Sequence, residues 1–290
     1  VRAQDIARAV SARTGIPVGN LNMEERLRLL NLERNLAAQV IGQGEAVAAA
    51  AGAVRRGRSC LAGGARPIAC MLFAGPTGVG KTELCRALAR ELFGSAEAMV
   101  RLDMTEYMEK HSVSRLIGAP PGYVGHEEGG TLTEKVRRRP YCLVLLDEVE
   151  KAHPDVTGLL LQIMDDGILT DSLGRTVSFK NALVVMTSNL GGEAGGGLGF
   201  VPGAGGDRTE AALRERFSPE FLGRLDTVVT FRPLDRESLG RIAHKELTAL
   251  TARCAAAGRC LTMDPKSCEI LADRALGKGG ARQIRHGLRH

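Results

Sequence analysis

Aromatic side chains are scarce: they make up 3% of the 290 residues, with no Trp and only three Tyr. So little ring area leaves few platforms on which bases could stack, which argues against a single-strand nucleic-acid binder. No apolar run approaches the ~20 residues that cross a bilayer. The N-terminal VRAQDIARAVSARTGIPV has neither an initiator Met nor the apolar core of a signal peptide. The chain is therefore expected to work in the cytoplasm, off the membrane, and its start reads as the cut end of a longer protein. None of the seven Cys forms a CxxC pair, and no Cys/His cluster has zinc-ligand spacing. Cys70 in IACMLF and Cys142 in YCLVLL lie in apolar runs and read as small buried hydrophobes, which suits a reducing compartment. The net charge is +6, but the 39 basic residues are scattered among 33 acidic ones. The one dense run, VRRRP (136–140), has a helical pattern and fits a solvated face or a subunit contact better than a DNA stripe. Internal repeats and coiled-coil heptads are also lacking.

What is present is an alternation of short apolar runs with helical patterns. The runs are IACMLFA (68–74), MVRLDM (99–104), CLVLLD (142–147), ALVVMTS (182–188) and TVVTF (227–231), with TELCRALARELF (82–93) and DVTGLLLQIMDDG (155–167) among the helices. Such an order predicts an α/β fold, a parallel sheet flanked by helices on both faces. Two helical segments within 22–62 precede it, joined across Val40-Ile41-Gly42-Gln43. After RPLDRESL (232–239) a long helical pattern over about 236–257, a short run RCLTMD and two further helical stretches predict a small, mostly helical second unit. The boundaries follow: 1–21 a leading segment, 22–232 the large α/β unit, and 233–290 the small one, which ends inside its last helical stretch.

GPTGVGKT, Gly75 to Thr82, follows the first strand and opens a helix, the context of a phosphate-binding P-loop. In a chain of this composition the pattern GxxxxGK[ST] arises by chance on the order of 10⁻² times. Gly75, Pro76, Thr77, Gly78, Val79 and Gly80 would present backbone N–H groups to phosphates at a helix N-terminus. Lys81 would reach the β- and γ-phosphates of ATP, and Thr82 would ligate Mg²⁺. In CLVLLDE, Asp147 emerges at the C-terminal end of a buried strand, where open α/β sheets bind ligands, and fits the second magnesium-ligand role. Glu148, next to it, is placed to polarise a water for in-line attack. Asn189, after the strand ending in TSN, either holds that water, senses the γ-phosphate or opens a turn. Arg224 and Arg282 each read as a site residue or a surface charge.

GAPPGYVGHEEGG, Gly118 to Gly130, holds five glycines and two prolines, and a loop of this composition has no core in which to bury Tyr123. Its surroundings carry a resemblance. LDMTEYMEKHSVSRLIGAPPGYVGHEEGG, VRRRPYCLVLLDEVEKAHPDV, LTDSLGRTVSFKN and VVMTSNLG resemble the second ATPase module of Clp-type AAA+ unfoldases, over nearly the whole chain. The resemblance implies a P-loop AAA+ module with a small helical lid subdomain, assembled as a homo-hexamer with ATP at subunit interfaces. It implies that Arg224 is a finger reaching the neighbour's ATP, though Gly223 stands where the family has Asn. Arg282 would contact ATP in its own subunit, and Val40 and Ile41 would pack on adenine. Tyr123, within Gly122-Tyr123-Val124-Gly125, would project into a central pore and grip unfolded polypeptide, with the hairpin-like 168–179 below it.

Within that family, Leu198-Gly199-Phe200 in the loop GGGLGFV is similar to the aliphatic-Gly-Phe tripeptide that docks into a ClpP-type peptidase. The expectation is a ClpC- or ClpA-like unfoldase that feeds unfolded substrates, some brought by adaptor proteins, to that partner. A ClpB-like disaggregase without a peptidase is the alternative. An ATP-switched scaffold fits less well, given Lys81, Asp147, Glu148 and Arg224. So does a nucleic-acid remodeller, because the loop offers Tyr123 beside Glu127 and Glu128 where basic residues would be expected.

Overall fold

The structure is a computed structural model, and it describes residues 23–59, 65–118, 129–191, 205–262, 264, 266–277 and 279–288. The leading segment 1–21, the Gly122–Gly125 loop and Leu198-Gly199-Phe200 lie outside the described residues. Five parallel strands form one sheet: β1 (Ala69–Ala74), β2 (Met99–Asp103), β3 (Leu143–Asp147), β6 (Leu183–Ser188) and β7 (Thr227–Thr230). Their spatial order is β2-β3-β6-β1-β7. The interior strands ACMLFA and LVVMTS are buried at every position, as expected where both faces of a sheet are covered. The edge strand β2 instead alternates, with Val100 and Leu102 buried and Arg101 exposed between them.

Strand period two divides the core. Cys70, Leu72, Val144, Leu146, Val184 and Met186 point to one face. There they meet α4 (Lys110–Ile117), α5 (Thr131–Arg138), α6 (Pro154–Asp166), α7 (Gly205–Arg216) and α8 (Pro219–Gly223). Ala69, Met71, Phe73, Leu143, Leu145, Leu183 and Val185 point the other way, onto α1 (Met23–Gln39), α2 (Gly44–Arg58) and α3 (Lys81–Phe93). Phe73 and Phe231 are fully buried there with ring centroids 5.3 Å apart. Burying each such ring is worth roughly 1.5–3 kcal/mol, so the pair is a strong local anchor.

The strand expected over 99–104 stops at Asp103. Its carboxylate accepts from the Thr105 N–H at 3.0 Å and turns the chain into a 3-10 turn, Met104–Tyr107. The 168–179 hairpin consists of β4 (Ile168–Thr170) and β5 (Thr176–Ser178), paired antiparallel. Asp171 pins it by accepting from the Arg175 N–H at 2.8 Å and Nε at 2.7 Å, while Arg175 Nη2 reaches Glu134 Oε1 on α5 at 2.7 Å. Beyond β7 come α9 (Arg236–Ala256), α10 (Lys266–Ala275) and α11 (Ala281–Gly287), around a separate small core of Leu234, Leu239, Ala243, Ala272, Ala275 and Ile284. Asp235 caps α9 by accepting from the Ser238 N–H at 2.8 Å. RCLTMD forms no strand among its described residues.

Candidate nucleotide site

All five sheet strands run the same way, so their C-terminal ends share one edge. The turn after β1 is the P-loop, the end of β3 is Asp147-Glu148, and the end of β6 leads to Asn189. The α11 helix closes over the P-loop from the other side. A cavity of about 460 Å³ lies between them. Its lining includes Val40, Ile41, Thr77, Gly78, Val79, Gly80, Lys81, Thr82, Asp147, Glu148, Asn189 and Arg282, which the sequence had singled out at separate places.

Lys81, the first residue of α3, is buried, and its ammonium lies within reach of four oxygens. These are the carbonyls of Gly75, Pro76 (3.0 Å) and Ser188 (3.1 Å) and the side-chain Oδ1 of Asn189 (2.8 Å). Burial lowers its pKa to about 8, against the opposing pull of Glu150, Asp147 and Glu148. Asn189 carries the chain of bonds onward, donating from Nδ2 to Glu148 Oε1 at 3.1 Å. Its own backbone N–H donates to Glu150 Oε1 at 3.0 Å. Lys81, Asn189 and Glu148 thus form one connected polar row across the ends of β1, β3 and β6.

Glu148 has φ +57°, the one non-glycine among the described residues with a positive φ. A left-handed conformation costs an L-residue roughly 1–2 kcal/mol, so the surroundings must hold it. Thr187 on the neighbouring strand does so, accepting from the Glu148 N–H at 3.0 Å while its hydroxyl donates to Asp147 Oδ1. One threonine therefore fixes both acidic residues. Asp147 Oδ2 also accepts from Arg101 Nε at 3.1 Å and Nη2 at 2.5 Å. The Thr82 hydroxyl and the Asp147 carboxylate line the same cavity and are hard oxygen donors of the kind Mg²⁺ takes, so the residues fit that ion.

The small helical unit touches the P-loop directly. Ala281 N–H donates to Gly78 O at 2.9 Å. A Cβ on Gly78, whose φ is +78°, would sit 1.8 Å from Gly279 O, so only glycine fits. Arg285 on α11 bridges Glu83 Oε2 on α3 at 3.0 Å and Glu246 Oε1 on α9 at 2.6 Å. Burial raises the Glu83 carboxyl, but the bond and charge of Arg285 outweigh it and leave the pKa lowered.

Arg224 does not line this cavity. It lies at the end of α8, 44% exposed, paired with Asp165, and its carbonyl accepts from Arg66 Nη2 at 2.8 Å. Sequence reasoning missed Arg101, Thr187 and Arg285. Arg101 had a signal in its polar position within the alternating MVRLDM; Thr187 and Arg285 had none beyond their neighbours' motifs.

A parallel sheet whose strand ends hold a P-loop, an acidic pair and a bridging Asn defines a P-loop ATPase module. The comparisons with known proteins agree. A family model described as AAA domain (Cdc48 subfamily) matches residues 66–228. The chain belongs to that family. It is 53% identical over 280 residues to a chaperone protein ClpB of Rhodopirellula baltica, covering 94% of this chain and 31% of that one. To a protein of Cyanidium caldarium named ATP-dependent Clp protease ATP-binding subunit ClpA homolog it is 49% identical over 302 residues, 99% of this chain and 35% of the relative. A solved structure titled "Closed State CryoEM Reconstruction of Hsp104:ATPyS and FITC casein" superposes with a TM-score of 0.85 at 37% identity, over 100% of this chain and 51% of that one. The chain thus spans about a third of the length of these curated relatives. Among the described residues, no helix is long and apolar enough to cross a membrane.

Proposed function

We propose that this chain binds ATP between the P-loop and α11, hydrolyses it at Glu148, and uses the cycle to thread unfolded polypeptide through a homo-hexameric ring. The observation that carries the reading is the row Lys81–Asn189–Glu148 beside Asp147, inside one cavity. In this reading Lys81 transfers its bonds from backbone carbonyls to the β- and γ-phosphates. The Glu148 carboxylate takes a proton from the attacking water, and Asn189 orients that carboxylate. Thr82 and Asp147 would hold Mg²⁺, which would supply positive charge to offset the charge developing on the phosphate oxygens. Val40 and Ile41 pack on adenine, and Arg282 contacts the phosphates of its own subunit. Arg224, exposed and outside its own cavity, suits a finger inserted into the next subunit's site, which makes hydrolysis depend on assembly.

Tyr123, on Gly122–Gly125, is assigned the grip on substrate. Supporting this, the ends of the stretch that carries it converge beside the hairpin. The Ser172 N–H donates to Ile117 O at 2.9 Å, and a Cβ on Gly118 would lie 2.2 Å from Ser172 Oγ and 3.3 Å from Gly130 N. The tyrosine stretch and the 168–179 hairpin therefore start from one place, as two loops facing one channel would. For the partner, Leu198-Gly199-Phe200 favours a ClpP-type peptidase over stand-alone disaggregation, because an apolar pair on a glycine-rich tether gains avidity around a ring.

The test mixes full-length protein, ClpP, ATP and a stably folded fluorescent substrate. Loss of fluorescence with peptide products supports the peptidase partnership, and loss without products moves the protein to the disaggregases. Fluorescence retained with ATP turning over contradicts threading, and undiminished loss in Tyr123→Ala contradicts the grip assigned to Tyr123.

A further inference from the structure

Gln43 has no part in the chemistry above, yet it is a polar side chain only 4% exposed at the junction of three functional segments. Its Nε2 donates to Val79 O in the P-loop at 3.1 Å and to Arg232 O at 2.8 Å. Its Oε1 accepts from the Arg232 N–H at 3.2 Å. Both amide hydrogens and the carbonyl are thus used, and all three partners are backbone. Arg232 lies where the chain leaves β7 for α9, three residues before the Asp235 cap. Gly42, beside it in sequence, packs against the start of the same helix. At its φ of +78°, a Cβ would be 2.7 Å from Ser238 Oγ and 2.8 Å from Leu234 Cδ2. Val40 and Ile41, immediately before, line the nucleotide cavity.

We infer that Gln43 is a positioning residue that ties the P-loop to the pivot of the small helical unit, so that nucleotide binding sets the angle of α9. The inference rests on the reading that ATP occupies this cavity. A P-loop that closes on phosphates moves the Val79 carbonyl. The Gln43 amide follows it only by shifting Arg232 as well, because each buried bond broken leaves an unpaired polar group behind. The Gly78–Ala281 bond and the Arg285 bridge fasten the far end of the small unit to the P-loop and α3; Gln43 fastens the near end. Two attachment points at opposite ends turn a local closure into a rotation rather than a slide.

Hydrogen exchange on the full chain separates the two ends. Watched amides are those of Ser238 and Leu239, which bond within the first turn of α9, together with peptides of the P-loop (75–82) and α11. In the wild-type protein, ATPγS with Mg²⁺ slows exchange in all three. In Gln43→Met, which keeps the length and removes the polar atoms, saturating ATPγS still slows the P-loop and α11. The slowing at Ser238 and Leu239 falls at least about fivefold. Gln43→Asn, an amide too short to span both partners, shows the same loss and covers the case in which the methionine variant fails to fold. Undiminished slowing at α9 in either folded variant overturns the inference. If ATPγS fails to protect the wild-type P-loop, it is the nucleotide reading that falls, independently of Gln43.

Discussion

Replacing Glu148 with Gln removes one proton acceptor while leaving the local geometry in place. Gln has the same backbone preferences as Glu, so the cost of φ +57° is unchanged, and the Glu148 N–H bond to Thr187 involves backbone only. The side-chain oxygen can still accept from Asn189 Nδ2, now held at 3.1 Å. What disappears is basicity. A general base contributes ~10²–10⁴ in rate, so kcat should fall by that factor, equivalent to about 3–5 kcal/mol of barrier. Binding should persist, because none of the four oxygens around the Lys81 ammonium belongs to Glu148. The affinity for a fluorescent ATP analogue should therefore stay within about threefold of wild type. Phosphate release under saturating ATP and analogue titration give the two numbers side by side. A kcat within tenfold of wild type removes Glu148 as the base; parallel collapse of binding and turnover shows instead that Glu148 shapes the pocket.

Two further outcomes follow from the packing around the P-loop and from the burial of two thiols. Gly78→Ala combines a left-handed residue with a Cβ 1.8 Å from Gly279 O, so α11 must be pushed off the P-loop; analogue affinity should drop at least about tenfold, measured by titration, and near-normal affinity would show that α11 is dispensable for binding. Burial pushes the thiols of Cys70 (with help from Asp226) and Cys142 up to about 12, so in the folded protein at pH 8 iodoacetamide should label the exposed Cys260 and leave those two intact, by peptide mass spectrometry, until denaturant is added.

The sheet was legible because burial on two faces writes itself as unbroken apolar runs: ACMLFA and LVVMTS have no other stable home. The P-loop and the acidic pair were legible because close phosphate approach restricts residue type at fixed spacing. Strand ends were less so, since Asp103 ends β2 through a side-chain bond that periodicity does not register. Helix α4 was missed because KHSVSRLI is short and half polar, and its helicity comes from packing Val113 and Leu116 on the core. Arg285 and Gln43 were illegible for a different reason. Their partners, Glu83 and Arg232, are remote in sequence, and a polar residue acquires meaning there only once the fold brings the partner. Thr187 likewise reads as a strand residue until its hydroxyl is seen between Asp147 and Glu148.

The most direct measurement is a structure of the full-length protein solved with ATPγS and Mg²⁺. The account predicts the terminal phosphate against Lys81 Nζ, the ion between Thr82 and Asp147, and Arg224 of an adjacent subunit pointing at that phosphate. Nucleotide bound elsewhere, or a site here closed without any contribution from a neighbour, would contradict it.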